Sequence, residues 1–278
     1  MQSPLRYPGG KSDFVSTVNQ IIKAANYSGL PFCEPYAGSA AVSLGLLSDG
    51  TVSHATILER DPVLYGFWKC VFEKTDELVS RFEKLPITIA TWHELQLLLK
   101  IKEPTNDNIV DLGLAGLFLN RANFSGILNG GPIGGKGQLS NYKIDCRTNK
   151  GDLINRIISI SKLNKRVTVE YGDAISFIDK FKRRKKVFFY IDPPYFEKGS
   201  ALYRYYYKHS DHKKLAECLK NVKFPWLLSY DSHHVIEFFY EDFFVRRHNF
   251  RYSARKPKND EELLISNFEL PADLYNWD

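Results

Sequence analysis

The densest chemistry in the chain is the tetrapeptide Asp192-Pro193-Pro194-Tyr195. It follows directly on residues 187–191 (VFFYI), an all-apolar run of strand type that reads as buried on both faces. A motif so placed sits at the carboxyl end of a central strand, where open α/β sheets bind ligands. Two prolines stiffen the backbone and remove two N–H donors, leaving carbonyl oxygens to point outward. Asp192 adds a carboxylate acceptor, and Tyr195 adds an aromatic face. Together they suit a planar ring bearing an amino group. The Pro193 carbonyl and the Asp192 carboxylate accept its two N–H bonds while the phenol stacks on the ring. The plainer alternative is a strand-ending turn with Asp192 as a helix cap.

A second constellation, Glu34-Pro35-Tyr36-Ala37-Gly38-Ser39-Ala40, is a strand-to-helix turn of small residues. Small residues let a ligand approach the backbone, and a helix amino end favours a carboxylate or phosphate. An ordinary turn between strand and helix is the competing reading. Glu59 ends the next strand, about twenty residues on, where an acid can accept both hydroxyls of a ribose. The turn carries neither Gly-x-Gly-x-x-Gly nor Gly-Lys-Ser/Thr, which disfavours a dinucleotide or nucleoside triphosphate there. A compact nucleoside with an amino-acid tail fits better.

The elements that must position these groups alternate. Residues 31–34 and 54–59 read as strands, and residues 40–47 as a helix closed by Asp49-Gly50. Asp61 reads as a helix cap with Pro62 in the first helical position. The middle of the chain differs: residues 75–85, 92–102 and 108–120 read as helices separated by Pro86 and Pro104. Residues 126–137 hold six glycines and Pro132, which implies a loop or a strongly bent hairpin. After a helix at 152–164 the alternation resumes, with strands at 167–171, 187–191 and 226–230 and helices at 174–181 and 211–220. Residues 245–252 and 262–268 read as a closing antiparallel hairpin. The expected organisation is a catalytic domain in two parts, 1–67 and 159–278, with an insertion at 68–158. Strand, helix and strand in sequence imply a mainly parallel α/β sheet.

Composition excludes several classes. The chain of 278 residues is 44% hydrophobic and 25% charged, as in a folded soluble protein rather than a disordered or collagenous one. It holds no apolar run long enough to span a membrane, and the start MQSPLRYPGGK has no apolar signal core. The four cysteines are far apart and the seven histidines show no metal spacing, so no metal is expected. Net charge is +6, and the cations cluster. Lys180, Lys182, Arg183, Arg184, Lys185 and Lys186 form one group; Arg246, Arg247, Arg251, Arg255, Lys256 and Lys258 form another. A polyanion partner and a solvated turn both fit such groups. The run Tyr203-Arg204-Tyr205-Tyr206-Tyr207-Lys208 contacts phosphates or bases on one reading and packs on the core on the other. Trp92 and Trp226 read as core residues.

Seven stretches, taken in order, resemble the DNA adenine-N6 methyltransferases of the Dam type (D12 class, alpha group). They are RYPGGK at 6–11, EPYAGSAAV at 34–42, ILERDPVL at 57–64, NRANFSG at 120–126, YIDPPY at 190–195, LLSYD at 227–231 and ELLISN at 262–267. The resemblance implies a Rossmann-like S-adenosylmethionine-dependent sheet with an inserted helical and hairpin target-recognition domain. It implies S-adenosylmethionine as cofactor, S-adenosylhomocysteine as product and no metal. Tyr7 and Lys11 would contact the cofactor; Glu34, Pro35, Gly38 and Ser39 would line its methionine end. Glu59 would hold the ribose, Asp173 would face the adenine, and Asp192, Pro193 and Tyr195 would be catalytic, with Asp192 also beside the cofactor. Ala40 stands where the family often has glycine, a change that costs little provided the residue keeps negative φ.

Base reading is expected within residues 120–142. Asn120, Arg121, Asn123, Ser125 and Asn129 lie in its first half, and Lys136, Gln138 and Tyr142 in its second. Arg255 and Lys256 add backbone contacts. No arginine stands near Asn129, where the members that read GATC carry one, so that target is not carried over. The implied partner is double-stranded DNA bound by a monomer, with a cognate restriction endonuclease as functional counterpart in a restriction-modification setting. The implied setting is the cytoplasm of a prokaryote, or a phage-encoded enzyme at the nucleoid. Two alternatives stand beside this: the same chemistry on cytosine N4 or RNA adenine, and a catalytically silent DNA-binding protein of the same fold. A glutamine-modifying enzyme usually has Asn in place of Asp192.

Overall fold

A computed structural model describes residues 1–6, 14–251 and 259–271. Tyr7, Lys11, Arg255 and Lys256, expected to bind cofactor or DNA, lie outside the described residues. The chain runs through α1 (Val15–Ala24), β1 (Phe32–Glu34), α2 (Ala41–Ser48), β2 (Ala55–Glu59) and α3 (Pro62–Glu73). Then come α4 (Thr75–Lys84), α5 (Ile89–Leu98), α6 (Ile109–Ala122) and α7 (Lys150–Ser161). β3 (Val167–Tyr171), α8 (Ala174–Phe181), β4 (Phe188–Ile191), α9 (Gly199–Leu202) and α10 (His209–Leu219) follow. The last elements are β5 (Trp226–Asp231), α11 (His234–Phe239), β6 (Phe244–Arg251) and β7 (Asn259–Ser266).

The seven strands form one sheet in the order β3-β2-β1-β4-β5-β7-β6. β1 to β5 are parallel, and β7 is antiparallel to both β5 and β6. This is the expected Rossmann-like sheet with an antiparallel strand near its end. The chain steps outward from β1 through β2 to β3, then returns to β4 on the other side of β1. The reversal opens a crevice between the carboxyl ends of β1 and β4. β4 shows why a strand can be apolar without alternation. Phe188 and Tyr190 join one hydrophobic core, Phe189 and Ile191 the other, and all four are buried.

Local signals explain the element ends. Asp61 accepts the Val63 N–H at 3.1 Å, and Pro62 opens α3, as expected. α1, which the sequence reading leaves unassigned, buries Val18, Ile21 and Ile22 at helical spacing. The expected edges of the insertion, 68 and 158, fall inside α3 and α7. α6 and α3 belong to the same hydrophobic core as the sheet. They touch through glycines: a Cβ at Gly113 would stand 2.9 Å from the Gly66 carbonyl, and one at Gly116 would collide with the Val63 carbonyl.

The expectation for Ala40 is corrected. Its φ is +50°, just after Gly38 at +48°. The turn doubles back tightly, with Ala40 N–H donating to the Ala37 carbonyl at 2.6 Å, before α2 begins. A left-handed alanine costs about 1–2 kcal/mol. Here the residue is completely buried, so packing holds it in place.

Candidate active site

A cleft of about 1000 Å³, counted to its open mouth, lies at the carboxyl ends of β1, β2 and β4. Glu34, Pro35, Gly38 and Ser39 line it from the turn after β1, Glu59 from the end of β2, and Asp173 from the end of β3. Asp192 and Pro194 close it from β4. The described residues expected at the cofactor therefore meet in one place. Pro193 is buried and Tyr195 is half-buried, and neither belongs to the cleft lining. Tyr195 donates to Glu262 Oε1 at 3.3 Å and stands edge-on to cleft-lining Tyr203.

Hydrogen bonds fix each acid. Glu59 Oε1 accepts the Gly38 N–H at 2.5 Å, tying the glycine turn to the end of β2. The Trp68 indole donates to the Gly38 carbonyl at 2.9 Å from the other side. Glu34 Oε2 accepts the Ser43 N–H at 3.0 Å and the Ser43 hydroxyl. Asp192 Oδ1 accepts the Ser229 hydroxyl at 2.6 Å, and Ser229 bonds the Tyr190 hydroxyl at 2.8 Å. Asp173 Oδ1 caps α8 through the Ser176 N–H at 3.0 Å, and Oδ2 lies 3.5 Å from Arg60. Burial pushes Glu59 up to about 8, against the pull of the Gly38 N–H. Burial likewise pushes Glu34 up to about 8, opposed by its two Ser43 bonds and reinforced by the nearby charges of Asp192 and Glu59. The site is thus lined by buried carboxyl groups that burial favours in their neutral form.

The tyrosine run takes neither a regular strand nor a helix. Tyr203, Arg204, Tyr205 and Tyr207 form a wall of the cleft. Arg204 grips Asp61 with one guanidinium nitrogen at 2.7 and 3.0 Å, and its other donates to the Leu99 carbonyl at 2.5 Å. The Tyr205 ring lies 5.6 Å from the Arg204 guanidinium and 5.7 Å from that of Arg60. Tyr207 bonds Tyr36 at 2.7 Å between hydroxyls.

The expected base-reading segment divides in two. Asn120 and Asn123 are completely buried, so the expectation that they read bases is corrected. Asn120 accepts the Arg6 N–H at 2.7 Å and donates to the Arg6 and Gly126 carbonyls. Asn123 accepts the Trp92 indole N–H at 2.7 Å and donates to the Ile127 and Leu128 carbonyls at 2.8 Å. Arg121 is spent on the Arg147 and Pro4 carbonyls, and burial lowers its guanidinium to about 10. Gln138 braces its own loop, donating to Ile133 and Gly135 carbonyls and accepting from Ile144. Ser125, Asn129, Lys136 and Tyr142 are exposed, Lys136 lying 5.9 Å over the Trp92 ring. The sequence reading missed Phe124 and Leu139, which are 71% and 92% exposed on this segment. Phe124 precedes Ser125, whose φ is +55°, and lies two residues from cleft-lining Gly126. An apolar residue between polar ones was the available signal. In the basic hairpin, Arg246 donates to the Pro271 carbonyl at 2.7 Å and Arg247 pairs with Glu237 at 2.7 Å.

Sheet order and switch-point cleft define a Rossmann-like α/β fold of methyltransferase type. Residues 7–253 match the family model of the D12 class N6 adenine-specific DNA methyltransferases, and the chain belongs to that family. None of the curated proteins matches it. Among solved structures it is similar to a candidate RNA methyltransferase of Pyrococcus horikoshii, at 10% identity, covering 94% of this chain and 83% of that one, with a TM-score of 0.40. It is also similar to precorrin-6y C5,15-methyltransferase of Geobacter metallireducens GS-15, at 12% identity, 91% and 87% coverage and a TM-score of 0.37. The methyltransferase domain of a bacterial CtHen1 shares 8% identity over 93% of this chain and 98% of that chain, with a TM-score of 0.39. No helix among the described residues is long and apolar enough to cross a membrane, and they hold no cluster of metal-ligating side chains.

Proposed function

We propose that the chain methylates N6 of an adenine flipped out of double-stranded DNA, with S-adenosylmethionine as donor. The observation that carries this is the convergence of Asp192 and Pro194 with Glu34, Gly38 and Glu59 on one cleft at the switch point. The family's N6-adenine description favours adenine over cytosine N4.

The residues fit the cofactor. The cleft is large enough for a nucleoside with an amino-acid tail, and its buried acids suit hydroxyl donors. Glu59 would hold the ribose hydroxyls, the turn at Pro35, Gly38 and Ser39 the amino-acid end, and Asp173 or its neighbours the base. When bound, S-adenosylmethionine supplies a methyl group on a positively charged sulfur. On the target side, the amine of adenine is a poor nucleophile because its lone pair is delocalised into the ring. Asp192, held in place by Ser229, accepts one N6 hydrogen, and the Pro193 carbonyl accepts the other. Both bonds favour a pyramidal nitrogen whose lone pair faces the cleft. The contribution is positioning and electrostatics rather than prior proton removal.

Adenine inside a duplex is out of reach of Asp192, so the base must leave the stack, at a cost of a few kcal/mol. Phe124, exposed two residues before cleft-lining Gly126, would insert where the base was as an apolar wedge. Exposed Ser125, Asn129 and Lys136 supply base and phosphate contacts from the same segment. The test is to express the chain in a host lacking adenine methylation and sequence the DNA for modified adenine in context. Asp192→Ala should abolish the signal while the purified protein keeps its melting profile. An unmodified genome with wild-type protein present, or full modification by the variant, would reject the assignment.

A further inference from the structure

We propose that the amino-terminal pole of the sheet, opposite the cleft, is a second binding surface for duplex DNA. Four successive residues there, Arg183, Arg184, Lys185 and Lys186, are exposed in the turn between α8 and β4. Lys180 and Lys182 have a local reason to be basic. They end α8, where cations complement the helix dipole, and Lys182 pairs with Asp179 at 2.8 Å. The next four lie past the cap, and among the described residues none forms an ion pair. Arg184 rests on the Phe181 ring at 4.8 Å, which orients it without neutralising it. The Lys223 N–H donates to the Lys182 carbonyl at 2.9 Å, bringing a further exposed lysine from the turn before β5. Lys162 and Lys165 precede β3 at the same pole, three strand spacings or ~14 Å away.

Such a patch raises a local positive potential that attracts a polyanion. Geometry separates that polyanion from the one at the cleft. Lys186 and Asp192 stand at opposite ends of β4, six residues or roughly 20 Å apart. The cleft end of the sheet carries Glu34, Glu59, Asp61, Asp173 and Asp192; the amino-terminal end carries the cations. A straight duplex delivering a base to the cleft therefore leaves the pole uncovered, and a second segment of the same polymer fits there. This rests on the DNA reading above. Its consequence is that one molecule holds two duplex segments at once, so it can pass from one to the other without a free intermediate.

The experiment compares wild type with a variant carrying Arg183→Gln, Arg184→Gln, Lys185→Gln and Lys186→Gln. A duplex just long enough to hold one methylated site should be modified with unchanged kcat and KM. For long site-free DNA, the slope of log affinity against log salt should fall by about 2–4, at ~0.9 per lost phosphate contact. Release of wild-type protein from a labelled duplex should quicken as unlabelled competitor DNA is raised, and the variant's release should not. An unchanged salt slope with competitor-dependent release kept would overturn the proposal. So would loss of turnover on the short duplex, or a patch that prefers duplex RNA to DNA. If wild type methylates no DNA yet shows patch-dependent transfer between duplexes, the surface stands and the methylation reading falls.

Discussion

Replacing Arg204 by methionine tests how the cleft wall is held. The guanidinium makes two bonds to Asp61 and one to the Leu99 carbonyl, and the paired side chains are only 13% and 8% exposed. Methionine keeps much of the apolar stem but leaves Asp61 as a buried acid without its cation. Removing one partner of a buried pair costs about 3–5 kcal/mol. The lower end is expected, because Asp61 keeps the Val63 N–H and can take up a proton. Burial already holds its carboxyl above the ordinary range, with Arg204 pulling it back. Without Arg204 the folded-state value rises further. A carboxyl whose folded value exceeds its unfolded one favours the folded state at low pH, and that contribution is lost as pH climbs from about 3.9 through the folded value. The variant's deficit should therefore grow from acid toward neutral pH. Urea denaturation of wild type, Arg204→Met, Asp61→Asn and the double variant supplies the assay. The amide introduced by Asp61→Asn can still cap α3, so the double variant should recover most of the loss, with a coupling energy of about 2 kcal/mol or more. A single-variant loss under about 1 kcal/mol, or additive effects, would refute the reasoning.

Glu59→Gln should weaken S-adenosylmethionine at least tenfold by calorimetry while leaving DNA affinity unchanged; an equal loss for both ligands would contradict a ribose contact. Because burial lifts Glu34 and Glu59 to about 8, the unliganded protein should lose stability as pH rises from about 4.3 toward 8. A Tm that climbs steadily across that range would contradict the raised values of these two acids. Trp92→Phe removes the donor to buried Asn123 Oδ1 and should cost about 1–3 kcal/mol, with a urea midpoint unchanged from wild type as the contrary result. Phe124→Ala should change stability by less than about 0.5 kcal/mol, since the ring is 71% exposed. It should slow methylation of duplex DNA far more than of single strands, and equal slowing would remove the wedge.

The sheet and the turn after β4 were legible because single residues there have few readings. An all-apolar strand ending in Asp-Pro-Pro-Tyr can be buried only in a central position, and Asp61-Pro62 can hardly be anything but a helix start. The recognition segment was harder. Asn120 and Asn123 carry the same amides that read adenine, and only their depth decides the matter. α6 is apolar around its whole circumference, so no stripe in the sequence shows where asparagine meets solvent or core. The tyrosine run was opaque for a related reason. Its aromatic and basic residues have no period, and its place in the cleft wall comes from a contact with Asp61, 143 residues away. Ala40 gave no sign of positive φ, because alanine by itself disfavours that hand and only the packing of the closed turn imposes it.

The glycine contact between α3 and α6 works as a shim. Asp61 at the start of α3 lines the cleft, and so do Gly126 and Leu128 just past the end of α6. Their spacing is set where the helices touch, by side chains that are missing. One methyl at Gly116 would meet the Val63 carbonyl, and α6 would have to retreat by on the order of 1 Å to regain ordinary contact. Misplacement by that distance can cost a reaction about a hundredfold. The gauge of the cleft is therefore kept at a helix contact that lies outside its lining, and it could be widened from behind without altering any lining residue.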